Sequence, residues 1–279
     1  MFQYAFLRAI QKNNERIIVV GFYELLEAFN NIDANLINIS SRNKFFRKII
    51  NKITYKVLNP IFAYIADKKI ISSISVDYDY IGEYKRELDT YFITKGFFSK
   101  IRYLYLGFFQ SKNFLNKDLI AFNVKNHYKA VANKFSSMIP QNAYKVFVHI
   151  RRRDYDKCLV LGKSALLPLE YYYKLIEWFL ENRKDVFFIL TGDDVKYIKE
   201  KFGYINNSII SENNHPAVDL EIMRNCRGGI LSASSFSWWG AYLMENKDII
   251  YAPKYWLGFN SKIEFHYNGF PSFCKEVLI

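Results

Sequence analysis

The chain has 279 residues, 51% of them apolar, which excludes a disordered or fibrous protein and leaves room for one large or two medium domains. Its formal charge of +12 is uneven, with 21 basic and 11 acidic residues in 1–140 against 18 and 16 in 141–279, so an anionic partner is expected on the side of the first half. Cys158, Cys226 and Cys274 are too scattered for a disulfide framework or a zinc site, and no apolar run reaches the roughly 18 residues that span a bilayer, so a cytoplasmic protein without a signal peptide or membrane span is expected.

In chain order, the pattern begins with a helix and a strand over 16–22. Residues 42–56 then carry six basic and no acidic side chains. Phe45, Phe46, Ile49, Ile50 and Ile53 recur there at helical spacing among Lys44, Arg47, Lys48, Lys52 and Lys56, which predicts a basic amphipathic helix. Such a helix either packs its apolar side on the first domain or lies on an anionic inner membrane face. From about residue 143, short apolar runs alternate with amphipathic stretches: strands over 145–150, 185–191, 208–211, 229–233 and 248–252, and helices over 168–182, 194–202, 219–226 and 236–245. Apolar strands with helical crossovers predict a parallel sheet covered on both faces, with its ligand crevice beyond the carboxyl ends of the strands. This contrast divides the chain into domains 1–140 and 141–279.

Two groups of residues at strand ends carry chemistry. His149-Ile150-Arg151-Arg152-Arg153-Asp154 follows the strand KVFVHI; guanidinium groups stay charged and grip a phosphate with two parallel hydrogen bonds, so the cluster suits a diphosphate. Ala233-Ser234-Ser235-Phe236-Ser237 stands at a strand end and helix start, where free backbone N–H groups and the helix dipole make an anion site. The ordinary alternatives are a solvated basic turn, plain serine N-caps, and core packing for Trp238 and Trp239. Asp77-Tyr78-Asp79 and Asp154-Tyr155-Asp156 each spell D-x-D, a carboxylate pair able to hold Mg or Mn against a diphosphate, so a metal-dependent nucleotide-sugar transferase is an alternative reading. A basic nucleic-acid-binding protein is another, supported by 18% aromatic residues. The aromatics sit within apolar runs rather than between basic residues, and no nucleic-acid partner is expected.

HIRRRDY at 149–155, TGDDVKYIKEKF at 191–202, DLEIMRNC at 219–226, SASSFSWWGAYL at 232–243 and IIYAPKYW at 249–256 occur in this order and resemble the alpha-1,2-fucosyltransferases of glycosyltransferase family 11. Met1-Phe2-Gln3-Tyr4-Ala5 and Gly107-Phe108-Phe109-Gln110-Ser111 resemble two further segments of that family. The resemblance implies an α/β fold of the GT-B type, two Rossmann-like domains with the donor cleft between them: 1–140 on the acceptor side and 141–279 binding GDP-fucose. It implies transfer of L-fucose from GDP-fucose, with inversion and without a metal cofactor, to a glycan or lipid-linked oligosaccharide, with O2 of a terminal galactose as the expected hydroxyl. By the match, Arg151 neutralises the donor's β-phosphate, and His149 and Asp219 take the places associated with guanine recognition. Ser234, Ser235 and Ser237 fall on the serine-rich phosphate loop, while Arg152 and Asp154 match the remaining positions of the first motif. Ala233 stands where the family usually has Asn. The family also carries Gly-Gly-x-Gly-Asn-Gln ahead of Met-Phe-Gln, and adding such a segment before Met1 is expected to raise activity. No carboxylate matches the family as general base; Asp156 is offered by proximity alone.

Overall fold

The computed structural model describes residues 1–19, 22–36, 49, 52–116 and 122–279. Most of the amphipathic helix expected over 42–56 lies outside them. The chain forms two compact units, Met1–Asn123 and Val124–Ile279, so the division falls ahead of the 140/141 boundary drawn from composition. Among the described residues, no helix is long and apolar enough to cross a membrane.

The first unit opens with helix Phe2–Ile10 and a short parallel pair, β1 (Ile18–Val19) and β2 (Asn35–Leu36), with helix Tyr23–Ala28 between them. Helix Asn59–Asp67 precedes β3 (Ile71–Ile81), β4 (Tyr84–Thr94) and β5 (Phe98–Leu104), a mixed sheet in the order β4-β3-β5. Ile74 and Val76 lie on the face of β3 that packs with Phe6, Phe109 and Phe114. A buried carboxylate braces this core: Glu87 of β4 accepts the backbone N–H of Phe108 at 2.6 Å and of Phe109 at 2.9 Å. Burial pushes the Glu87 carboxyl above its ordinary range, against the pull of those two N–H groups.

The second unit begins with helix Asn126–Ser136 and holds β6 (Tyr144–Ile150), the two-residue hairpin β7 (Leu159–Val160) and β8 (Lys163–Ser164), β9 (Val186–Gly192), β10 (Ser208–Ile210), β11 (Gly228–Ile230), β12 (Ile249–Pro253) and β13 (Lys275–Val277). Six of these strands form one all-parallel sheet in the order β10-β9-β6-β11-β12-β13. Side chains at 146, 148, 186, 188 and 190 point to one face and pack with helices Leu169–Asn182 and Val195–Phe202. The opposite face carries Phe147, His149 and Thr191 toward helices Pro216–Arg224 and Ser235–Tyr242. Helix Pro216–Arg224 starts three residues before the expected position 219. Proline occupies its first turn, where a missing N–H costs nothing, and the His215 ring caps Ala217 N at 3.2 Å while stacking on Tyr128 at 4.3 Å. The result is a mixed α/β fold with helices on both faces of a parallel sheet.

Candidate active site

Leaving β6, the chain adds β9 and β10 on one side of it, then returns to add β11 on the other. The loops after β6 and β11 therefore diverge at a topological switch point, the place where an open parallel sheet forms its ligand crevice. The residues that follow both strands meet there. His149 is buried near the end of β6, its Nδ1 2.6 Å from Ser232 Oγ just after β11 and its ring 5.5 Å from that of Phe236. Burial, assisted by the Arg151 charge, lowers the imidazole pKa to about 3, so the ring is neutral. The Tyr155 hydroxyl donates to Ala233 O at 2.8 Å, a second tie between the two loops.

The three arginines part company. Arg151 is half-buried, and its Nε stands 2.8 Å from Asp154 Oδ1 and 3.4 Å from Asp193 Oδ2. No hydrogen bond from either Nη group is found among the described residues, so the forked end of the guanidinium is available to an anion. Arg152 turns away: its guanidinium lies 3.8 Å from the centre of the Tyr197 ring and its Nη2 donates to Asp156 Oδ1 at 3.2 Å. Arg153 is exposed. Consecutive residues beyond a strand cannot all face one crevice, so a run of three arginines places one there. The Arg151 guanidinium holds the exposed Asp154 carboxyl below the usual carboxylate range.

The serine loop is similarly divided. Ser234 is the N-cap of helix Ser235–Tyr242, accepting Phe236 N at 3.3 Å. Ser237 is fully buried, its hydroxyl shared between Ser232 O at 2.9 Å and Ser234 O at 3.0 Å. Ser235 alone of the three is exposed, at the first helical position where the backbone N–H groups are free. Helix dipole and loop thus offer positive potential just beyond β11.

Asp219 lies in the first turn of helix Pro216–Arg224. Its Oδ1 accepts the Ser211 hydroxyl at 2.6 Å, and the side chains of Thr191 and Asn214 also bond to it. Asn214 Nδ2 donates in turn to Ser211 Oγ at 2.7 Å. Burial raises the Asp219 pKa to about 6, partly offset by these three donors. Thr191 and His149 are register partners on neighbouring strands, which puts the Asp219 cluster on the same sheet face as the imidazole.

Asp193 is the residue that sequence reasoning missed. It follows β9 directly, and its Oδ1 accepts Arg152 N at 2.8 Å while Oδ2 faces Arg151. The signal was present in TGDD, an acidic pair after a buried strand adjacent to the one that ends in RRR. Gly192 permits the approach: a Cβ there would stand 2.1 Å from Ile150 O. Among the described residues, no group of three or more His, Cys, Asp or Glu could hold a metal ion. Asp79 is paired with Arg86, and Asp77 accepts the Thr90 hydroxyl at 2.6 Å.

Comparison with known proteins places the chain in a family. Residues 26–267 match the model of Glycosyl transferase family 11. The O-antigen biosynthesis glycosyltransferase WbnK of Escherichia coli is 28% identical over 94% of this chain and 92% of its own length. An alpha-1,2-colitosyltransferase of Escherichia coli is 36% identical over 40% of each chain, and galactoside alpha-(1,2)-fucosyltransferase 2 of Hylobates lar is 24% identical over 49% of this chain and 42% of its own. Among solved structures, POFUT1 in complex with GDP-fucose aligns over 89% of this chain and 91% of that one, at 10% identity and a TM-score of 0.44. With most of its length matched by the family model, the chain belongs to glycosyl transferase family 11.

Proposed function

We propose that the protein transfers L-fucose from GDP-fucose, with inversion, to a glycan hydroxyl, forming an alpha-1,2 linkage to a terminal galactose. In this reading the two units take the GT-B arrangement, the second binding the donor and the first the acceptor, in the cytoplasm. The observation that carries it is the Arg151 guanidinium, its Nε set beside Asp154 and Asp193 just after β6, at the switch point where the start of helix Ser235–Tyr242 follows the neighbouring strand β11. Breaking a sugar–phosphate bond leaves negative charge on the departing GDP. A pre-positioned guanidinium and helix N-terminus stabilise that charge without reorganising, the largest single source of help for such a step. Attack by the acceptor hydroxyl from the opposite side then inverts the sugar carbon.

His149, neutral and held by Ser232, and Asp219 are assigned to the guanine base, whose N–H edge suits a carboxylate acceptor. Ser234 and Ser237 serve by shaping the phosphate loop, Ser235 by facing the phosphate, Asp154 by bracing Arg151, and Arg152 through its backbone N–H, which holds Asp193 beside Arg151. No divalent metal is needed, because both carboxylates of Asp154-Tyr155-Asp156 are engaged by arginines. The fucosyl and colitosyl relatives make the donor sugar the variable to test. Incubation with GDP-fucose or a colitosyl donor and a panel of galactose-terminated glycans, with the product linkage read by nuclear magnetic resonance, tests the proposal. An alpha-1,2-fucosyl product supports it; transfer of colitose alone, or another linkage, overturns it.

A further inference from the structure

Helix Asn59–Asp67 carries apolar side chains outward as well as inward. Its inner side meets the sheet of the first unit: Ala66 is buried, and Asn59 and Asp67 accept the hydroxyls of Tyr103 and Tyr105. On the outer side Val57, Ile61 and Tyr64 follow one another at helical spacing, Ile61 46% and Tyr64 62% exposed. Ile53 and Tyr55, just ahead, are exposed as well. Beyond the helix, Lys69 O and Ile70 O accept Phe97 N and Phe98 N at 2.8 Å each, which sets Phe97, 84% exposed, and Phe98 beside the helix end. A helix apolar on both sides is ordinarily buried, and a contiguous exposed apolar area marks an interaction site.

The charged side chains around it are basic, apart from Asp67 at the helix end. Lys52, Lys56, Lys68, Lys69, Lys95 and Lys100 are all exposed, with the Lys68 ammonium 5.6 Å from the centre of the Tyr64 ring. The sequence has no acidic residue from Ala34 to Ala66, and Asp67 is tied to Tyr105. A second copy of the chain would set lysine against lysine. Lipid phosphates supply the opposite charge over a plane, and the boundary beneath them accepts aromatic and aliphatic side chains.

We propose that this surface of the first unit docks on an anionic lipid bilayer, with Ile61, Tyr64 and Phe97 entering the headgroup region and the lysines meeting lipid phosphates. The proposal is independent of the donor chemistry. The test is co-sedimentation of the full chain with vesicles of phosphatidylcholine, alone or mixed with phosphatidylglycerol. We expect pelleting with the mixed vesicles only, reversed by high salt. Replacing Lys52, Lys56, Lys68 and Lys69 with Gln, or separately Ile61→Ser with Tyr64→Ser, should lower the partition coefficient by about tenfold or more, with an unchanged circular dichroism melt. A protein that stays in the supernatant at low salt, that pellets equally with neutral vesicles, or whose binding survives both sets of substitutions overturns the proposal. So does self-association abolished by the serine pair in a protein that ignores lipid.

Discussion

The Asp193 carboxylate stands 3.4 Å from Nε of Arg151 while its other oxygen holds the backbone N–H of Arg152 at 2.8 Å. The end of β9 thereby sets the aim of the guanidinium at the end of β6. Arg151→Lys keeps the charge and loses the planar fork, so turnover should fall by roughly 10²–10³-fold with the fold intact. Asp193→Asn keeps the acceptor for Arg152 and loses the pull on Arg151; about a tenfold fall in kcat is expected, smaller than for Asp193→Ala. Steady-state kinetics with GDP-fucose decide, and near-full activity of Arg151→Lys would show that the first motif is wrongly assigned.

Donor binding should depend on pH through Asp219, whose pKa is raised by burial to about 6. Below that value its carboxyl is protonated in the free protein, so GDP affinity should fall by about tenfold per pH unit. Asp219→Asn should weaken binding at pH 8 and flatten the profile. Melting temperature is a poor readout, because two groups oppose. The raised Asp219 favours the folded state as pH falls from about 6 toward 4, while His149, lowered to about 3, withdraws stability as pH falls below its unfolded value near 6.5. Calorimetric titration with GDP at several pH values separates binding from folding.

GDP should bind equally well in a strong chelator. Arginine already occupies the carboxylates of Asp154 and Asp156, and Arg86 holds Asp79. Loss of GDP binding on chelation, restored by Mg or Mn, would favour the metal-dependent alternative.

Gly192→Ala should cost about 1–3 kcal/mol, because the added methyl meets the Ile150 carbonyl and backbone cannot swing aside as a side chain can. Activity should fall with stability, since the strain lies between the two strand ends that position Arg151 and Asp193. Denaturant unfolding and kinetics on the same variant check both; wild-type values in each would mean that the strands part without cost.

Much of the second unit was legible because buried parallel strands read as apolar runs and their crossovers as amphipathic helices. The five strands and four helices expected after residue 143 all occur, with ends moved by a few residues. β13 was not legible: Lys-Glu-Val has no apolar run and joins the sheet as an edge strand through its backbone. In the first unit, ISSISVDYDYI does alternate, but its side chains are divided between a small core and open surface, and the three-stranded sheet went unread. At the site, sequence indicated that arginine and serine follow β6 and β11. It could not say which Arg turns onto Tyr197 or which Ser is buried, since those outcomes depend on neighbours from β9 and from the helix start.

The central place of β6 also orders how the second unit comes apart. Val146, Phe147 and Val148 are fully buried between β9 and β11, so their amides should exchange with solvent only when the whole unit opens. The short rim strands β10 and β13 should exchange through local fraying, long before that. Arg151 hangs from the strand that opens last and keeps its aim while the rim of the sheet breathes.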